Sequence, residues 1–172
     1  MDGATRNGGS VLAAKLGVRQ RHSVNVKNHA RAKSPAIRLV RQRTGTSCGL
    51  ACIAMLARSK ASEVTRILKR RLNDYSSEHT DISDIRFALR QLGLELGRKV
   101  ASRNWRTATR LQTLGLAAVR HKRLRHGYER WHWVVVEIRK GQPVVWDPAR
   151  KTGPHVEFDK VPLAWYHHVR IE

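Results

Sequence analysis

Cys48, His132 and Asp147 are the residues of this chain whose types and spacing could do nucleophilic chemistry. A thiol attacks a carbonyl as its thiolate, an imidazole beside it takes or holds the proton, and a carboxylate fixes the imidazole's tautomer and orientation. The reaction such a set serves is acyl transfer from a peptide or amide carbonyl. What must be asked is whether the chain contains elements that can bring the three together.

Cys48 lies in the stretch Gln42 to Met55, QRTGTSCGLACIAM. Thr44, Gly45, Thr46 and Ser47 are turn and N-cap residues, and the uncharged run from Leu50 to Leu56 suits a helix buried nearly all round. Cys48 therefore falls in the first helical turn, where unpaired backbone N–H groups and the positive end of the helix dipole stabilise a thiolate. Cys52, one turn on among alanines and leucines, reads as a core thiol. Side chains at i and i+4 run roughly parallel, so the two cysteines are not expected to form a disulfide.

His132 and Asp147 lie on a predicted hairpin. Trp133 to Ile138 is β-branched and aromatic, Arg139 to Gln142 with Gly141 is a turn, and Pro143 to Trp146 is a second short strand. A two- or four-residue turn makes opposed residues sum to 281, so that Ala149 opposes His132 and Val134 opposes Asp147. His132 and Asp147 then lie diagonally on one face. A three- or five-residue turn would put them on opposite faces.

With Cys48, Gly49, Ala51 and Met55 on the helix, Gln42 six residues before Cys48, His132 followed by Val134 to Val136, and Asp147 followed by Pro148, the chain resembles the papain-like cysteine peptidases of the bacteriocin-processing, double-glycine-leader type. The likeness runs from about Ile37 onward. It implies an α+β papain-like fold, a helical half led by the Cys48 helix packed on an antiparallel sheet. It also implies that Cys48 is the nucleophile, His132 the general base and acid, Asp147 the orienting acid, and Gln42 an oxyanion donor with the backbone N–H of Cys48. Without the resemblance Gln42 reads as a surface polar residue. Leu50 departs from the proline or alanine of many relatives, and a stand-alone domain is expected, so a double-glycine leader is not assumed as substrate.

The chain has 172 residues, room for one domain and a tail. Residues 1–35 read as a basic, mostly disordered tail with a possible short helix at Ser10 to Leu16, and 36–172 as the peptidase domain. The net charge of +21 predicts attraction to polyanions. That charge is spread: Met1 to Arg43 carries ten Lys or Arg against Asp2 alone, and the rest of the chain is basic too. VLAAKLGV is too short and too interrupted by Lys15 to be a secretory core or a membrane span, which points to a cytoplasmic protein. A basic, acid-poor N-terminus also fits a targeting segment.

Other elements follow from pattern. Ala36 to Val40 reads as a short strand, Ala61 to Asn73 and Asp81 to Leu92 as helices, Leu94 to Val100 and Leu116 to Arg120 as strands, and Trp105 to Leu114 as a short amphipathic segment. KRLRHGYER reads as a basic loop before His132, Val156 to Phe158 as a strand, and Trp165 to Ile171 as a closing edge strand bearing His167 and His168. Neither His121 nor His126 has Cys or Asp partners at metal-ligand spacing, so no zinc is expected, and the proposed chemistry requires neither metal nor organic cofactor. The expected partner is a protein or peptide substrate. Two rivals remain: another thiol acyl transfer, as in deamidases, transglutaminases or amidases, and a non-enzymatic, basic nucleic-acid-binding protein.

Overall fold

The structure, a computed structural model, describes residues 37–71, 79–110, 114–158 and 160–171. The proposed tail at 1–35, Ala36, and the end of the second helix at Leu72 and Asn73 lie outside them. Three helices lead the described chain: α1 (Cys48–Ala57), α2 (Ala61–Arg71) and α3 (Ile82–Gln91). Five strands follow: β1 (Leu94–Ala101), β2 (Leu114–Arg123), β3 (Glu129–Arg139), β4 (Gln142–Trp146) and β5 (Leu163–Ile171). They form one antiparallel sheet in the order β1-β5-β2-β3-β4.

Every residue of α1 from Cys48 to Leu56 is buried, as its uncharged sequence requires. It packs against β3, with α2 and α3 beside it. Cys52, Ile53 and Ala54 have no exposed surface, and Cys52 is a core thiol. The α3 N-terminus is closed by a capping box in which Asp81 accepts from the Asp84 N–H at 2.8 Å and the Asp84 carboxylate accepts from the Asp81 N–H at 3.2 Å. Gly93, at φ +73°, carries the chain from α3 into β1.

Side chains on the two sheet faces sort into two apolar clusters. Trp133, Val135 and Trp146 join α1, Ile85 and Leu89 in one; Val134, Val136 and Val145 join Trp105, Phe158 and Tyr166 in the other. The β3–β4 turn has two residues, Lys140 and Gly141, both at positive φ (+49° and +76°), and Arg139 pairs with Gln142. That turn matches the right-handed twist of the strands. The observed pairs Val135–Trp146 and Val136–Val145 sum to 281, the register read from the sequence.

Four expectations need correcting. Residues 37–40 form no strand. The basic segment before His132 is strand at both ends: β2 and β3 run past the core to Arg123 and from Glu129, joined through a 3₁₀ turn at Arg125–Gly127. Val156 to Phe158 contributes no strand, the nearby pairing being a single bridge between Val145 and His155. Finally, β5 is an interior strand between β1 and β2, and His167 is buried within it. Its long-range pairing leaves no local signal in the sequence.

Candidate active site

The loop before α1 is braced by Ser47. Its hydroxyl accepts from the Arg43 and Thr44 N–H groups, both at 3.0 Å, and donates to the Thr44 carbonyl at 3.2 Å. Ser47 occupies the N-cap position, yet its side chain makes no capping bond to the helix. The serine is thus spent on holding the loop, and no acidic residue sits in the first turn. Side-chain capping therefore leaves the first-turn N–H groups beside Cys48 alone, and the helix dipole is not offset there.

His132 Nε2 lies 2.7 Å from Asp147 Oδ1, and Cys48 is close enough to the same imidazole to help hold its proton. With Nε2 committed to Asp147, Nδ1 is the nitrogen left for the thiol. The hairpin delivers this pair because its two-residue turn keeps His132 and Asp147 on one face. Asp147 is 1 % exposed, and its Oδ1 also accepts from the Ala149 N–H at 2.9 Å. Burial alone would raise the Asp147 carboxyl; the His132 and Ala149 hydrogen bonds and the His132 and Arg120 charges outweigh it and hold the carboxyl below its ordinary value. Burial likewise opposes a charge on His132, but its bonds to Asp147 and Cys48 prevail and raise it from 6.5 to about 9. The arrangement therefore favours an imidazolium at neutral pH beside the Asp147 carboxylate. Burial pushes the Cys52 thiol well up, so the second cysteine is chemically quiet.

Gln42 is tied to the other side of the site. Its backbone N–H donates to the Pro148 carbonyl at 3.0 Å, which links the loop before Cys48 to the residue after Asp147. Its side-chain Nε2 donates to the Thr44 carbonyl at 3.0 Å. A carboxamide nitrogen carries two hydrogens, so this bond leaves one.

A cavity of about 150 Å³ opens at Cys48, with Thr80, Glu129, Arg130, Trp131 and Trp133 in its wall. Sequence reasoning gave Trp131, Trp133 and Thr80 no part in the site. Thr80 and Trp133 are each 2 % exposed, and Thr80 Oγ1 and Trp133 Nε1 are buried with no hydrogen-bond partner. Gly49 was the available signal: a glycine early in an otherwise apolar helix marks a close approach, and here it is the approach of Thr80 and Trp133. Among the described residues no group of His, Cys, Asp or Glu is arranged to hold a metal ion.

Three helices packed on an antiparallel sheet, with Cys48 opening the buried helix, His132 on β3 and Asp147 just after β4, make the fold that of the papain-like cysteine peptidases. The sequence profile of the Peptidase C39 family matches residues 36–156, and the chain belongs to that family. No curated protein sequence matches it. Among solved structures it is similar to the peptidase domain of Streptococcus ComA, a bifunctional ABC transporter involved in a quorum-sensing pathway, with a TM-score of 0.55 and 17% identity over 80% of this chain and 100% of that one. It is also similar to a double-glycine-motif protease from an AMS/PCAT transporter, solved with its leader peptide, with a TM-score of 0.50 and 17% identity over 80% of this chain and 93% of that one. The protein is a hydrolase, which sets aside the reading of it as a purely nucleic-acid-binding protein. No helix among the described residues is long and apolar enough to cross a membrane.

Proposed function

We propose that the chain hydrolyses a peptide bond that follows a pair of small residues, glycines in the first instance, through Cys48, His132 and Asp147. The observation that carries this is the imidazole of His132 held at 2.7 Å by Asp147, with Cys48 as its other neighbour. Cys48 attacks the scissile carbonyl as thiolate, and the carbonyl oxygen becomes an oxyanion held by the Cys48 N–H and the second hydrogen of the Gln42 amide. His132 gives its proton to the leaving amine as the C–N bond breaks. Water, deprotonated by His132, then releases the acid from the thioester and restores the thiol–imidazole pair. The small residues are supported by the cavity of about 150 Å³ beside Cys48, walled by two tryptophans, and by the double-glycine motif in the name of a similar structure.

Incubating the chain with a peptide containing Gly-Gly, and with the same peptide carrying Leu-Leu, tests this by mass spectrometry. The expected product is cleavage after Gly-Gly only, abolished in Cys48→Ala. A mass gain of about one dalton without a cut would mean deamidation, and indifference to Leu-Leu would remove the small-residue rule.

A further inference from the structure

Apart from the Arg120 charge felt by Asp147, the arm from Arg120 to Arg130 carries chemistry that peptide-bond cleavage does not use. It holds Arg120, Lys122, Arg123, Arg125 and Arg130, with His121 and His126, against the single acid Glu129. Every residue in it is exposed. Glu129 is engaged with His121 at 3.4 Å, and among the described residues none of the five cations forms an ion pair.

This is a folded hairpin. Lys122 pairs with Arg130 and Arg123 with Glu129, the Leu124 N–H donates to the Tyr128 carbonyl at 2.7 Å, and the tip turns through His126 and Gly127 at positive φ. Like charges placed opposite each other, as Lys122 and Arg130 are, cost stability, so the arm's charge is not there to hold the fold. Leu124 and Tyr128 stand 48% and 73% exposed among the cations.

The arm is fixed to the site. Val119 pairs with His132, and between that pair and Lys122–Arg130 one extra residue enters β2 as a bulge, with Arg120 at φ +55°. Such bulges redirect a strand. At the arm's base, Glu129 and Arg130 form part of the wall of the Cys48 cavity. A peptide seated at Cys48 therefore has the cationic arm beside its path.

We propose that the Arg120–Arg130 arm docks an acidic segment of the substrate, its carboxylates on the arginines and its apolar side chains on Leu124 and Tyr128. The proposal rests on the peptidase reading for what lies at the other end of that segment. A peptide is favoured over a nucleic acid because the arm's base opens into the cleft at Cys48 and because exposed Leu124 and Tyr128 offer apolar contact among the charges. The chain's own N-terminal segment is no competitor, since Asp2 is the only acid before Arg43.

The test is fluorescence anisotropy at 0.15 M salt with a fluorescein-labelled peptide of twelve residues built from Glu-Glu-Leu-Leu repeats, which contains no glycine. Arg123→Gln/Arg125→Gln is expected to weaken binding tenfold or more. The charge-matched control on α2, Arg66→Gln/Arg70→Gln, should weaken it less than twofold, and a Lys-for-Glu peptide should not bind. Equal weakening in both variants would show only the general field of a basic chain and overturn the proposal. Displacement of the peptide by an equally charged oligothymidylate at the same or lower concentration would overturn it in favour of a nucleic-acid surface. Alkylation of Cys48 by iodoacetamide, run on the same proteins, should be unchanged by either pair of substitutions, which reports an intact fold. If that alkylation proved independent of His132 in the parent chain, the peptidase reading would fall while the anisotropy still judged the arm.

Discussion

Gly49 and Thr80 share one space: a Cβ built on Gly49 would lie 1.8 Å from Thr80 Oγ1, 3.1 Å from Thr80 Cβ and 3.3 Å from Trp133 Cδ1. The residue after the thiol is therefore pressed against the cleft wall, and its lack of a side chain sets how closely α1 approaches. Gly49→Ala should destabilise the protein by about 1–3 kcal/mol and slow acylation, because the shift displaces Cys48. Thr80→Ala added to it removes the closest contact and should recover more than half of the lost stability. Urea melts of the two single variants and the double variant measure this coupling.

Asp147→Asn should pull the titration midpoint of His132 down from about 9, since burial then acts on the ring with less to oppose it. Nuclear magnetic resonance of the imidazole follows that midpoint directly. The same variant should lower kcat about 100-fold or more. A midpoint that stayed near 9 would show that Asp147 is not what holds the proton on.

The raised midpoint also makes stability depend on pH. A histidine whose folded value lies above its unfolded one contributes stability that is fully present below pH 6.5 and is lost as pH rises through about 9. The effect is on the order of 3 kcal/mol at most. Denaturation at pH 6 and pH 10 should show a larger loss for the parent chain than for His132→Ala, in which this proton is gone. Equal losses would contradict the assignment.

The two cysteines should behave oppositely toward iodoacetamide at neutral pH. Cys48 should label rapidly, and His132→Ala should slow it; Cys52, buried with its thiol pushed up, should stay unlabelled until the protein unfolds. Cys52→Ala should keep the activity and cost about 1 kcal/mol of packing. Peptide mapping after alkylation separates the two sites.

Gln42→Ala should lower kcat on a Gly-Gly peptide by about 100-fold, an effect typical of losing one oxyanion donor, with little change in KM. A fall confined to KM would make Gln42 a binding residue instead.

The site was more legible in the sequence than the sheet around it. An uncharged helix beginning at a cysteine, and a β-branched hairpin with Gly141 in its turn, are local patterns; they placed Cys48 and, given the two-residue turn, put His132 and Asp147 on one face. What was not legible depends on partners distant in sequence. Leu94 pairs with Ile171, and β5 enters between β1 and β2, a choice no periodicity within Trp165 to Ile171 encodes. The Lys122–Arg130 segment reads as a loop because neither of its faces is apolar; its strands are extensions of core strands, aligned by the pairing already set at Val119 and His132. Thr80 escaped notice because its role comes from where α3 is placed against α1, and Ser47 read as a helix cap although its hydroxyl serves the preceding loop.

The interior position of β5 bears on when the enzyme can come into being. As the chain is synthesised, α1 to α3 and the β2–β3–β4 meander, with every residue proposed for catalysis, emerge before Leu163. Until β5 arrives, β2 has a free edge on the side away from β3, and nothing joins β1 to the meander. Sheet closure waits on pairings that span much of the chain, which are slow to form. A nascent chain thus holds Cys48, His132 and Asp147 well before it holds the strand that closes the sheet around them.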